Sequence, residues 1–94
     1  MRPDVYRLVG TNSLRIRQSS SLARIVDRIE AYPNELFHIH NTNQPEVVAT
    51  LDVQRNAFHV LHHHKHMPIE QWPAWVDTLH TLLTIHHPNL RTTP

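Results

Sequence analysis

The chain has 94 residues, 39% hydrophobic and 18% charged, with a formal charge of +1. That is the profile of one ordinary globular domain and not of a disordered segment. It contains no cysteine, which excludes disulfides, thiolate metal sites and cysteine nucleophiles. No run approaches the ~20 apolar residues of a membrane span, and the N-terminus lacks a signal-peptide core, so a cytosolic protein is expected.

The first element expected is a hairpin over residues 5–18. Tyr6 to Val9 and Leu14 to Arg17 are short alternating runs around the turn-forming Gly10-Thr11-Asn12-Ser13. Gly10 is the only glycine, and a turn needing positive φ is the expected reason for it. Arg15 and Arg17 are expected on the face opposite Leu14 and Ile16.

Ser19-Ser20-Ser21 offers a helix N-cap. Leu22, Ile25, Val26 and Ile29 follow at the spacing of one buried helical stripe. A helix over roughly 20–32 is expected, ended by Pro33.

Three strands come next: Leu36 to Asn41, Val47 to Gln54 and Ala57 to His63. In the middle one, Val47, Ala49, Leu51 and Val53 alternate with Val48, Thr50, Asp52 and Gln54. The hairpin before it sets Phe37 beside Leu51 and Ile39 beside Ala49. A two-residue turn at Arg55-Asn56 would set Leu51 opposite Val60, Asp52 opposite His59, and His62 inward beside Ala49.

The last helix is expected to start near Trp72, with Trp75, Val76, Leu79, Leu82, Leu83 and His86 inward and Asp77, His80, Thr84 and His87 towards the other side. Pro88 ends it. The whole reads as one α+β domain of order ββαβββα, a single antiparallel sheet with two helices on one face. It divides into the hairpin, an αβββα unit over 20–88 and a tail over 89–94. The αβββα order is similar in topology to double-stranded-RNA-binding domains. That resemblance implies a basic cluster opening the last helix, where this chain has Glu70-Gln71-Trp72-Pro73.

Ten histidines, seven of them between Phe37 and Met67, dominate the chemistry. Imidazole binds metals, moves protons and changes charge near neutral pH. His38, His40, His59 and His63 fall on one sheet face with Asp52, a possible set for zinc or nickel with the carboxylate orienting an imidazole. The run His62-His63-His64-Lys65-His66 is suited to weak chelation. No nucleophile elbow appears, and one glycine cannot build a phosphate loop; no catalysis and no cofactor are expected.

Two binding readings remain. Trp72 and Trp75, close together near a helix start, are candidate anchors for a protein partner. The partner expected first is a second copy, joined through a sheet edge or the tryptophan end. Charge supplies the other reading. Residues 1–28 hold six arginines against two acids, so Arg15, Arg17, Arg24 and Arg28 form a candidate nucleic-acid patch. The expectation is a small regulatory or accessory protein that binds and does not catalyse.

Overall fold

The computed structural model describes residues 3–12, 16–32 and 34–92. Ser13, Leu14, Arg15 and Pro33, on which parts of the hairpin, the arginine patch and the helix stop were placed, lie outside the described residues. The strands are β1 (Tyr6–Gly10), β2 (Ile16–Ser19), β3 (Leu36–Asn41), β4 (Gln44–Asp52), β5 (Ala57–His62), β6 (Lys65–His66) and β7 (Arg91–Thr92). The helices are α1 (Leu22–Glu30) and α2 (Ala74–His86), with a 3₁₀ turn at Ile69–Gln71.

The fold is α+β, but the sheet is mixed and, among the described residues, has seven strands in place of five antiparallel ones. Its order is β2-β1-β3-β4-β5-β6, and β7 adds to β5 in parallel. β6 and β7 share the outer edge of β5: Leu61 and His62 pair with β6, while Ala57 and Phe58 pair with β7. Each of these added strands is two residues long, too short to show a period in sequence.

The core follows from alternation. Tyr6, Leu8, Phe37, Ile39, Val47, Ala49, Leu51, Phe58 and Val60 point to one side of the sheet and are buried there. Both helices cover that side with Leu22, Ile25, Val26 and Ile29 of α1 and Trp75, Val76, Leu79 and Leu83 of α2. Each large side chain so buried contributes about 1.5–3 kcal/mol of transfer free energy. Ser21 caps α1 as expected, its Oγ accepting from the Arg24 N–H at 3.4 Å. α2 starts two residues later than expected. Trp72, preceding a proline, is extended (ψ 134), and Pro73 is extended too (ψ 159), so the helix opens at Ala74.

The β3–β4 register is as expected, with Phe37 opposite Leu51 and Ile39 opposite Ala49. The β4–β5 register is not. Leu51 pairs with Phe58, Ala49 with Val60 and Thr50 with His59, while Asp52 faces Ala57. The turn occupies Val53 to Asn56 because Asp52 Oδ1 accepts from the Arg55 N–H at 3.1 Å, and the Asn56 N–H donates to the Val53 carbonyl at 3.2 Å. Asn56 takes φ 56, a left-handed conformation that Asn tolerates. A two-residue shift leaves each side chain on its expected face and changes only its neighbours. His62, expected against Ala49, pairs with Val47 and is exposed.

Gly10 has a different role from the one expected. It ends β1 without a positive φ, and the buried Glu35 carboxylate lies against it: a Cβ there would meet Glu35 Oε1 at 2.8 Å. Glycine here lets the Glu35 carboxylate approach closely, and no positive φ calls for it. Positive φ appears instead at His63 (50) and His64 (67), the central pair between β5 and β6. A two-residue hairpin with both central residues left-handed favours Asn-Gly, so this histidine pair carries backbone strain.

Two outcomes follow from these backbone features. Replacing His63-His64 by Asn-Gly should raise unfolding stability by about 1 kcal/mol, read from the urea midpoint at unchanged m-value. Gly10→Ala should cost about 1 kcal/mol, and much less in a Glu35→Ala background; equal costs in both would rule out the Glu35 contact as the reason for the glycine.

Candidate functional site

With both helices on one side, no helix among the described residues covers the other side of the sheet. Cross-strand pairing arranges its side chains in rows. One row runs Ile16, Val9, His38, Thr50, His59 across β2, β1, β3, β4 and β5. The next runs Gln18, Arg7, His40, Val48, Leu61, His66 across β2, β1, β3, β4, β5 and β6. Leu36, Asp52 and Ala57 begin a third. The face therefore alternates aliphatic groups with imidazoles, and Ile16 stands 51% exposed on it.

The imidazoles interact along the rows. His38 Nδ1 lies 3.3 Å from Thr50 Oγ1, within hydrogen-bond reach of the buried hydroxyl. Burial first, then the neighbouring His38 and Arg7 charges, hold the pKa of His40 below the ordinary histidine value of 6.5. Burial first, then His38 and His66, act on His59 in the same direction. At neutral pH these two rings are accordingly uncharged, and the face is less polar than its histidine count implies.

The metal set does not assemble. His38, His40 and His59 share the face, but Asp52 stands by Ala57 and pairs with Arg55 at 3.7 Å. His63 sits in the β5–β6 turn, its ring tilted against that of His62 with centroids 4.4 Å apart. Among the described residues, no three His, Asp or Glu side chains come together as a metal ion needs.

The two tryptophans lie in the core. Trp72 is 8% and Trp75 6% exposed, with their indole N–H groups donating to the Met67 carbonyl at 3.1 Å and Gln44 Oε1 at 2.7 Å. His80, expected on the outer side of α2, is packed 5.5 Å from both Phe58 and Trp72. Its Nε2 is buried with no hydrogen-bond partner, and burial lowers its pKa against the opposing pull of Asp77. The spacing Val76, Leu79, His80, Leu83 is itself an i, i+3, i+4, i+7 stripe, so this position was available from periodicity. His86, expected inward, is exposed, while His87 caps a contact between helices through Nε2, 2.6 Å from Glu30 Oε1.

Three of the four expected arginines do converge. Arg17 stands on the face opposite Ile16, as expected, and by pairing with the buried Leu8 it points to the helix side of β2. Across from it, Arg24 and Arg28 stand one turn apart on α1. Together with Gln18, Ser19 and Ile25 they line an open cleft of about 390 Å³. Arg15 lies outside the described residues.

Comparison with family models, curated proteins and solved structures returns no match for this chain. No helix among the described residues is long and apolar enough to cross a membrane.

The three histidines with lowered pKa fix the sign of an acid effect. His40, His59 and His80 each bind a proton more weakly folded than unfolded. Their contribution is complete above pH ~6.5 and is lost as pH falls below it, until the folded forms also take up protons. Urea unfolding from pH 8 to pH 5 should show that decline, and His80→Gln should flatten it. A stability flat across this range would contradict the assignment.

Proposed function

We propose that this is a non-catalytic binding protein that acts as a homodimer, two copies meeting through the helix-free faces of their sheets. One observation carries the reading: a sheet covered on one side only, whose bare side presents Val9, Ile16, Val48 and Leu61 between half-buried imidazoles. Antiparallel sheets with one free side ordinarily alternate apolar inside and polar outside. Here both sides carry aliphatic groups.

Size supports a second copy as occupant. The molecule measures 34 × 28 × 23 Å, and its short axis matches one sheet plus one layer of helices. The broad face then offers on the order of 900 Å², against the roughly 800 Å² per partner of a standard stable interface. Chemistry supports it as well. A neutral imidazole both donates and accepts a hydrogen bond, so a face rich in neutral imidazoles is complementary to itself. Self-pairing along the β2 edge is the weaker route, since it sets Arg17 of two copies near each other. A cytosolic setting belongs to the same proposal and is supported only by composition, a cysteine-free chain being compatible with a reducing compartment.

Light scattering at pH 8 should give twice the chain mass of 11.0 kDa. Val48→Glu and Leu61→Glu should each weaken the dimer by about tenfold or more, since each buries an unpaired charge. Lowering the pH should weaken it once the folded His40, beside Arg7, and His59, beside His38 and His66, take up protons. A monomer at pH 8 and 100 μM or so would overturn the reading.

A further inference from the structure

We propose that the cleft between β2 and α1 is a binding site for a phosphate monoester, held by Arg17, Arg24 and Arg28. The inference is independent of the dimer, because the cleft opens on the helix side of the sheet.

Three guanidinium groups reach it from two elements, and its other lining residues, Gln18, Ser19 and Ile25, carry no charge. None of the three arginines is in an ion pair among the described residues; the pairs there are Asp52–Arg55 and Glu30–His87. Arg24 and Arg28 are like charges at i, i+4, an arrangement that destabilises a helix slightly unless an anion answers it. Arg28 is also held in place: its guanidinium lies 5.2 Å from the centre of the Tyr32 ring, and its Nε is buried without a hydrogen-bond partner. A stacked, pre-positioned guanidinium is what bidentate phosphate recognition uses.

The surrounding carboxylates set the charge of the ligand. Glu35 lies in a narrow crevice behind the cleft, which Arg17 and Arg28 also line. Asp27 points off α1 into solvent, and Glu30 is engaged by His87. Among the described residues lining the cleft and its crevice, three arginines outnumber one carboxylate, which suits a dianion better than the single charge of a phosphodiester. Geometry favours the same choice. A nucleic-acid backbone needs cations spread along a track, but Arg7 is on the opposite face, and Arg55, Lys65 and Arg91 lie in or beyond the β4–β5 turn towards the other edge of the sheet. Among the described residues, Arg17, Arg24 and Arg28 form one cluster suited to one terminal phosphate. Ser19 adds a donor: its Oγ accepts from the Ser21 N–H at 3.0 Å, leaving its own O–H for a phosphate oxygen.

Calorimetric titration at low salt and pH 7.5 tests this, with inorganic phosphate as the first probe. Saturable binding is expected, weakened about tenfold or more by Arg24→Gln and by Arg28→Gln, and unaffected by Arg55→Gln. Arg24 is exposed, so its variant keeps the test valid if the loss of Arg28 disturbs folding. Adenosine 5′-monophosphate and phosphoserine form two further arms, and tighter binding of either identifies the source of the phosphate group. Absence of saturable phosphate binding overturns the proposal. So does equal weakening by Arg55→Gln. Duplex RNA binding tightly, with a salt dependence of several phosphates while phosphate itself does not bind, would replace it with a backbone-contact surface.

Discussion

The alternation of side chains along β3 and β4 is the constraint on which this molecule is built. Phe37 and Ile39 on one strand, Val47, Ala49 and Leu51 on the other, fill the side that the helices cover. The residues between them are thereby committed to the opposite side whatever their chemistry. His38, His40, Val48 and Thr50 are on the bare face because their neighbours are in the core. Ala49, fully buried between larger residues, leaves the helices room to seat on the sheet. The same parity explains why a two-residue register error is harmless to the fold and consequential for the site. It preserves faces and exchanges partners.

That distinction accounts for what could be read from sequence. The stripe of α1, its Ser21 cap, the β3–β4 register and the one-sided placement of both helices are products of periodicity and capping chemistry, which short windows display. The four-residue turn after β4 was hidden because it depends on a side chain, Asp52, bonding back to the Arg55 amide in competition with the ladder. β6 and β7 were hidden because two residues carry no pattern; their pairing is dictated by the exposed edge of β5. Gly10 was misread since a glycine in sequence does not distinguish positive φ from close approach. Only the position of the Glu35 carboxylate does that.

The candidate sites show a similar division. A shared face for His38, His40 and His59 was legible; the separation of Asp52 and His63 from them was not, because both lie where turns depart from regular pairing. The arginines were legible as a charge bias in the first 28 residues. Their convergence required knowing that Arg17 aligns with Leu8 and so faces α1. His80 illustrates a further point. A histidine on a helix stripe is easily read as surface by its polarity, while its spacing assigns it inward. Here spacing prevails, and the cost is an unpartnered ring nitrogen beside Phe58 and Trp72.

The bare sheet face has a consequence for how such a protein can change. Positions such as His38, His40, His59 and Leu61 take part in the sheet through their backbones, while their side chains contribute little to the apolar interior. Replacing one leaves the buried core intact and alters chiefly what the surface presents. Recognition and foldability are thus written on alternate letters of the same strands, and a lineage could exchange one partner for another without passing through an unstable ancestor.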